Sequence, residues 1–231
     1  MIKAVGNMYD WVTDMHTHLG GECPHKCKYC YTGRGRFGRA PCYSGPLRLI
    51  EKEFKVKYES AKTIFIEHKN DLFAELVPET WIARIMEHCW GYPGNLYSFQ
   101  SKNPGRAVEF MEFFPKGSLM GTTIETDLVI PGVSEAPNPA SRIAGIKELK
   151  ARGFKTFITI EPIMDFTENL AKMIIEARPD FVNIGADSKR SSLIEPSRDK
   201  ILRLVEELNK NNVVIRKKVN LDRIMGNQKE Q

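Results

Sequence analysis

The sequence has no long hydrophobic run and no paired-cysteine framework. No apolar stretch reaches the ~18 residues that a membrane-spanning helix needs, so we expect a cytoplasmic protein without a membrane partner. The chain has five cysteines, an odd number, and starts without a signal-peptide pattern. Both features argue against structural disulfides. Three of the five cysteines are bunched, which is more typical of metal ligation in a reducing compartment.

The rest of the composition is that of an ordinary globular domain. Hydrophobic residues make up 42% and charged residues 27% of the 231 positions, which are average values. We expect one domain over 1–231, with a core over about 11–218 and a polar C-terminal tail. The net charge of +5 mildly favours anionic partners.

The bunched cysteines are Cys23, Cys27 and Cys30, separated by three residues and then by two. The loop is short enough for all three thiolates to point into one small volume. Three soft ligands suit an iron–sulfur cluster or zinc. A four-iron cubane held by three cysteines leaves one iron open to a small molecule. A zinc site that uses His25 or Cys42 as its fourth ligand is the alternative.

From residue 63 onward, apolar strand-like runs alternate with helical patterns. We predict strands over 63–66, 96–100, 118–124, 156–160, 181–184 and 213–215, after a first strand within 10–19. We predict helices over 78–89, 106–114, 141–152, 168–177 and 197–209. This rhythm predicts an α/β fold, a partial TIM-like (β/α)6–7 barrel of parallel strands.

A polar or charged residue follows each of six predicted strands within a few positions. These residues are Asp71, Lys102, Glu125, Glu161, Asp187 and Lys217. The carboxyl ends of the strands in a parallel barrel meet on one face, where the βα loops build active sites. The cysteine loop follows the first strand, so it should open onto the same face.

Two loops are candidates for contact with a substrate. The segment 126–139 is rich in proline, glycine and acid, and its length suggests a lid or substrate loop, or else an inert excursion. The segment 31–39 is rich in glycine and arginine. It is either a flap whose arginines meet phosphates or a solvated loop that offsets the charge of a cluster.

The pair His16 and His18 resembles the first metal-binding motif of the metal-dependent amidohydrolases. Those enzymes need further histidines on later strands and a late aspartate, and this chain has no histidine after His88. We therefore expect His16 and His18 to line the barrel floor below the cysteine loop, or to pack there.

The cysteine spacing, with an aromatic residue before the last cysteine, resembles that of the radical S-adenosylmethionine (radical SAM) superfamily. The resemblance extends over roughly 11–218 through Asn70-Asp71-Leu72-Phe73, Ser101-Lys102-Asn103-Pro104, Gly121-Thr122-Thr123-Ile124-Glu125, Glu161-Pro162 and Gly185-Ala186-Asp187-Ser188. Together these motifs resemble a phage-associated radical SAM group. That group is similar in barrel plan to the spore photoproduct lyases, radical SAM enzymes that repair DNA.

The resemblance implies a cofactor set and a reaction. Cys23, Cys27 and Cys30 would hold a [4Fe-4S] cluster whose open iron binds S-adenosyl-L-methionine (SAM). An external flavodoxin- or ferredoxin-like donor would supply the electron that splits SAM into methionine and a 5′-deoxyadenosyl radical. That radical would abstract hydrogen from a substrate that the sequence does not identify, either a small molecule or a nucleic acid.

The resemblance also assigns SAM contacts. Tyr29 would lie against the adenine. The superfamily's Gly-Gly-Glu, which holds the SAM amino group, is replaced here by His68-Lys69-Asn70-Asp71, so Asn70 or Asp71 is the candidate for that contact. Ser101 and Lys102 would meet the SAM carboxylate or ribose.

The remaining strand-end residues have less specific assignments. Glu125 would accept hydrogen bonds from the ribose hydroxyls. Glu161, Asp187 and Lys217 would point towards the substrate as catalytic residues. Two alternatives stay open at this point. One is an iron–sulfur or electron-transfer module without radical chemistry, and the other is a nucleic-acid lyase or modifying enzyme within the same superfamily.

Overall fold

The computed structural model describes residues 1–33, 41–188, 191 and 193–226 of the chain. Most of the glycine- and arginine-rich segment 31–39, and all but the first residue of the polar tail after Met225, lie outside the described residues. No helix in the described ranges combines the length and apolarity needed to cross a bilayer.

An eight-stranded, mainly parallel sheet forms the centre of the fold. Its strands, in spatial order, are β1 (Ile2–Lys3), β2 (Asp14–His16), β5 (Thr63–Ile66), β6 (Leu96–Gln100), β7 (Leu119–Thr123), β8 (Lys155–Ile160), β9 (Phe181–Ile184) and β10 (Ile215–Lys217). β1 pairs antiparallel with β2, and every later pairing in this sheet is parallel. β3 (Leu19–Gly20) and β4 (Arg48–Leu49) form a separate antiparallel pair.

Helices connect the parallel strands. The α-helices are α1 (Glu79–Trp90), α2 (Pro104–Ala107), α3 (Pro139–Ala151), α4 (Asn169–Ala177), α5 (Arg198–Lys210) and α6 (Asp222–Met225). Short 3-10 helices lie at Tyr31–Gly33, Pro41–Tyr43, Glu51–Lys55, Val108–Phe113 and Val219–Leu221. Spatial order follows chain order through the parallel strands. The predicted α/β fold, a partial TIM-like arrangement of parallel strands, is confirmed.

The two faces of the sheet pack against different partners. Ile64, Ile66, Ile158 and Ile160 belong to the large core that also contains the buried side chains of α1. On the inner face, aromatic side chains form a second cluster with the N-terminal segment: Tyr9, Val12, Met15, Phe65, Phe157 and Phe181. This alternation is the two-residue period of a strand, and it turns odd-numbered residues of β8 inward.

Most predicted elements agree with the structure to within two residues at each end, and three of the differences have a clear cause. The helix expected over 106–114 is the short α2 followed by a 3-10 helix. The first strand is shorter than 10–19, because Leu19 and Gly20 leave the main sheet to pair with β4. The last strand starts at Ile215 rather than 213, because the Val213 N–H bonds to the Leu208 carbonyl at the end of α5.

Candidate active site at the carboxyl ends of the strands

The cysteine loop is wound by two successive backbone turns. The Lys26 N–H donates to the Cys23 carbonyl over 3.2 Å, and the Cys30 N–H donates to the Cys27 carbonyl over 3.0 Å. Lys26 adopts a left-handed φ of 44°, which tightens the first turn. All three cysteines are free thiols of intermediate exposure, so they are available as ligands.

Burial, followed by the nearby Asp71, Cys27 and Cys30, raises the pKa of the Cys23 thiol to about 12. The contributions of Cys27 and Cys30 mean that the three sulfurs share one neighbourhood. A thiolate at Cys23 therefore needs a positive partner. A bound metal centre supplies such a partner, because metal binding drives a coordinating thiol to its deprotonated form.

The long loop before α3 lies on the cysteine loop. The Lys28 N–H donates to the Val133 carbonyl over 2.9 Å, and the Glu135 N–H donates to the His25 carbonyl over 2.8 Å. The Cys27 sulfur lies 3.1 Å from the Ser134 hydroxyl. The segment 126–139 thus packs against the candidate cluster ligands, where a lid would be placed.

The spacing of the donors fits a multi-iron cluster better than one zinc ion. One tetrahedral zinc with Zn–S bonds of ~2.3 Å draws its sulfurs to within about 4 Å of one another. Within the described ranges, the trio whose ligand atoms converge within 4.8 Å consists of histidines and does not include the three cysteines. His25 bonds to Asp71, and Cys42 is exposed. The donor set therefore fits an iron–sulfur cluster.

Asp71 links the cysteine loop to the ends of β5 and β6. Its buried carboxylate accepts hydrogen bonds from His25 Nε2 (2.9 Å), the Ser101 hydroxyl (2.6 Å), the Lys102 N–H (2.7 Å) and the Phe73 N–H (3.0 Å). Burial alone would raise the pKa of Asp71, but His25 and the other donors outweigh it and lower the pKa. Four donors fill the acceptor sites of a carboxylate.

Asn70 has local partners. Its side-chain oxygen accepts the Asp71 N–H over 3.0 Å, and its amide nitrogen donates to the Gly21 carbonyl over 3.3 Å. Asn70 therefore holds the loop after β5 against the chain that leads into the cysteine loop.

Glu125, at the end of β7, is the centre of a buried charge cluster. Its carboxylate accepts short hydrogen bonds from the Tyr29 hydroxyl and the Lys102 ammonium, and a 2.9 Å bond from Arg142. Burial opposes ionisation, but the two cations lower the pKa of Glu125 to about 2. The Lys102 ammonium also lies 5.1 Å from the centre of the Tyr29 ring.

Arg142 was not among the predicted site residues, although a signal for it exists in the sequence. It precedes Ile146 by four and Leu149 by seven positions, so it lies on the buried stripe of α3. A charge on an apolar helix face needs a buried partner, and Glu125 is that partner.

Glu161, at the end of β8, forms a second network. Its carboxylate accepts bonds from Asn7 (2.6 Å), Asn220 (2.7 Å) and the Lys218 ammonium (2.6 Å). Lys217, the lysine predicted for this site, is exposed. Side chains alternate along the chain that leaves β10, so Lys218 and not Lys217 reaches the carboxylate.

Asp187, at the end of β9, belongs to a third group of contacts. Its carboxylate accepts the Ser191 N–H in a short bond and the Ser191 hydroxyl over 3.3 Å. The Asp187 N–H donates to Glu195 over 3.1 Å, and Glu195 is paired with Arg223. The described contacts of the strand-end residues thus form three networks. The first contains Asp71 and Glu125, which Lys102 links to each other, and it includes residues of the cysteine loop. The second is centred on Glu161 and the third on Asp187.

His16 and His18 lie against the helix layer and not on the barrel floor. The rings contact Tyr58 and α1's His88. Burial, followed by the nearby histidines, lowers the pKa of His16 to about 2, so its imidazole is neutral.

Comparison with known proteins gives matches among solved structures alone. No protein-family model matches the chain, and no curated protein matches it. A cysteine-to-serine variant of spore photoproduct lyase matches 87% of this chain with a TM-score of 0.57 and 12% identity. The chain has the fold of spore photoproduct lyase. It spans 62% of that lyase chain.

Two further structures of spore photoproduct lyase agree. A tyrosine-to-phenylalanine variant gives a TM-score of 0.55 at 9% identity, covering 89% of this chain and 72% of the lyase. A doubly substituted lyase with bound AdoMet and dinucleoside spore photoproduct gives 0.53 at 12% identity, covering 84% and 60%. The predicted structural resemblance to spore photoproduct lyase is confirmed.

Proposed function

We propose that this chain is a radical SAM enzyme that binds a [4Fe-4S] cluster at Cys23, Cys27 and Cys30. The observation that carries the proposal is the place of the cysteine loop. Three free thiols in two tight turns lie against strand-end residues of a fold that spore photoproduct lyase shares. One structure of that lyase holds AdoMet. We also propose a single domain over 1–231, since the parallel strands form one sheet.

When bound, the cluster supplies the electron that cleaves SAM reductively, which makes SAM the source of the hydrogen-abstracting species. The electron comes from an external flavodoxin- or ferredoxin-like donor. The protein's own task is to position the thiolate ligands and to shield the site from water. The two backbone turns orient the thiolates, and the loop before α3 covers the Cys27 side, where it would limit the access of water.

The buried charge cluster around Glu125 would suit the amino-acid and ribose parts of SAM. Lys102 and Arg142 together carry one more charge than Glu125 neutralises, so this group of charges favours an anionic carboxylate nearby. Tyr29 is held by its hydroxyl to Glu125, and its ring would lie against the adenine. Glu125 is also the candidate acceptor for the ribose hydroxyls.

Asp71 has a different role in this proposal. Because four protein donors already fill its carboxylate, it positions His25, Ser101 and Lys102. Direct contact with the SAM amino group would have to displace one of these donors, and Asn70 is the adjacent alternative. Glu161, Asp187 and Lys217 stay candidates for the substrate side, and Lys218 joins them through its pair with Glu161.

The test is anaerobic reconstitution with iron and sulfide, followed by dithionite and SAM. We expect about four irons per chain and formation of 5′-deoxyadenosine. Cys27→Ala should abolish both, whereas Cys42→Ala, an exposed cysteine outside the turns, should retain both. An intact cluster that yields no 5′-deoxyadenosine would instead favour the iron–sulfur module.

A nucleic-acid-related substrate is the candidate class that a specific observation favours. A structural neighbour holds a dinucleoside spore photoproduct, and the chain carries a net charge of +5. Binding of a labelled oligonucleotide should then weaken with salt in a log–log plot with a negative slope. Absence of binding, or binding that does not depend on salt, would argue against a nucleic-acid substrate.

A further inference from the structure

Three histidines from two distant parts of the chain converge on the helix side of the sheet. His16 ends β2, His18 follows it, and His88 lies in α1. Their ligand nitrogens all lie within 4.8 Å of one another, and His18 Nε2 is 2.8 Å from His88 Nδ1. His16 and His18 are buried and His88 is partly buried.

The outer nitrogen of each ring faces an acceptor. His18 Nδ1 lies 2.8 Å from the Glu67 carboxylate, His16 Nε2 lies 3.0 Å from Glu53, and His88 Nε2 lies 3.0 Å from the Val56 carbonyl. Carbonyls and carboxylates accept hydrogen bonds, so each outer nitrogen carries the proton. Glu67 is fixed in turn by the backbone N–H groups of His18 and Leu19.

The inner nitrogens, His16 Nδ1, His18 Nε2 and His88 Nδ1, are therefore unprotonated, and their three lone pairs point into one region. The only hydroxyl that the described contacts place among them is that of Tyr58, at 2.6 Å from His16 Nδ1, 3.3 Å from His18 Nε2 and 3.5 Å from His88 Nδ1. One hydroxyl proton cannot satisfy three lone pairs, and two lone pairs 2.8 Å apart repel. The cluster needs a positive centre.

We propose that His16, His18 and His88 bind one divalent transition-metal ion, zinc by ligand type, with the Tyr58 oxygen as the fourth ligand. Imidazole nitrogens suit zinc. A carboxylate or carbonyl on the second nitrogen of each ligating histidine is the usual support of such sites. Metal binding would release the Tyr58 hydroxyl proton. Four protein ligands make this a structural site.

The position gives the site a purpose and an entry path. The site ties the end of β2, which lies just before the cysteine loop in the sequence, to α1 and to the later segment that contains Glu53 and Tyr58. An open groove reaches His88 from the surface and is lined by Phe54, Arg84, Glu87, His88, Gly91 and Tyr92. The donors are nitrogen and oxygen, so the site does not compete with the sulfur ligands for iron.

The probe is Co²⁺ added to the full chain that carries Cys23→Ala, Cys27→Ala and Cys30→Ala, which removes the sulfur donors of the loop. We expect one Co²⁺ per chain, with visible d–d bands of a tetrahedral site and no sulfur-to-cobalt charge-transfer band. Zn²⁺ at about 100 times its Kd should raise Tm by roughly 5 °C or more. Circular dichroism checks that each variant is folded.

Two variants test the ligands. His88→Gln should abolish the cobalt bands, whereas His68→Gln, a partly buried histidine bonded to Thr17, should leave them unchanged. If His88→Gln does not fold, Tyr58→Phe keeps all three imidazoles and should weaken Co²⁺ binding about tenfold. Absence of saturable binding, or equal binding in all variants, would overturn the proposal. NMR that finds both His18 nitrogens protonated in protein treated with Zn²⁺ would assign the positive centre to an imidazolium and also overturn it.

Discussion

The Tyr29 hydroxyl donates to the Glu125 carboxylate, so the cysteine loop is fastened directly to the carboxyl end of β7. Tyr29 lies between two of the proposed cluster ligands in the sequence. Lys102 donates to the same oxygen of Glu125 as Tyr29 does, and Arg142 donates to the other oxygen. A change in this buried pair should therefore affect both stability and the geometry of the loop.

Glu125→Gln should lower the free energy of unfolding by about 3 kcal/mol, because it leaves two buried cations without their carboxylate. Urea denaturation measures the loss. The matched control is Glu135→Gln, which breaks an exposed ion pair with Lys26 of the cysteine loop. This change should cost less than about 1 kcal/mol. Similar losses in both variants would contradict the buried network.

Acid should destabilise the protein through Glu125. Its pKa in the folded chain is about 2, below its ordinary value of 4.5. A depressed carboxyl pKa stabilises the fold above the unfolded pKa, and this contribution disappears as the pH falls from about 4.5 to 2. Unfolding free energies measured from pH 6 to pH 2.5 should fall more steeply for the wild type than for Glu125→Gln. Parallel curves would argue that Glu125 is not ionised in the fold.

Lys102→Met should weaken SAM binding about tenfold, because it removes a cation that would pair with the SAM carboxylate. Equilibrium binding to the reconstituted protein measures the effect, and the iron content should be unchanged. Lys26→Met is the control, since Lys26 is in the cysteine loop but pairs with exposed Glu135. Unchanged affinity in Lys102→Met would remove Lys102 from the SAM site.

Lys218→Met and Lys217→Met should behave differently. Lys218 is a largely buried partner of Glu161, so its loss should lower the free energy of unfolding by about 1–3 kcal/mol. Lys217 is exposed, and its substitution should change stability by no more than about 0.5 kcal/mol. Chemical denaturation of the two variants side by side tests this. A larger effect at Lys217 would mean that the strand end faces the other way.

Gly121→Ala should destabilise the inner face of the sheet by about 1–3 kcal/mol. A Cβ at Gly121 would lie 2.3 Å from the Phe157 ring, which itself packs on Phe181 and Tyr9. Gly105→Ala is the control, because a Cβ there meets nothing within 4 Å and the residue lies in α2. Thermal unfolding should show a lower Tm for Gly121→Ala than for the wild type, and an unchanged Tm for Gly105→Ala.

Local patterns in the sequence were sufficient to predict the helices and strands and to single out the cysteine loop as a candidate site. The spacing of Cys23, Cys27 and Cys30 is a property of eight consecutive residues, and strand and helix periods repeat within one element. The carboxyl ends of parallel strands meet on one face by topology. For these reasons the fold class and the general location of Asp71, Lys102, Glu125 and Glu161 could be predicted.

Tertiary structure alone decided which side chains meet. Arg142 reaches Glu125, Lys218 pairs with Glu161, and His88 joins His16 and His18. The side that a residue faces depends on the phase of the pleat and on where a strand ends, and a shift of one residue reverses it. Contacts between residues tens of positions apart also depend on how helices pack on the sheet. No local pattern carries that information.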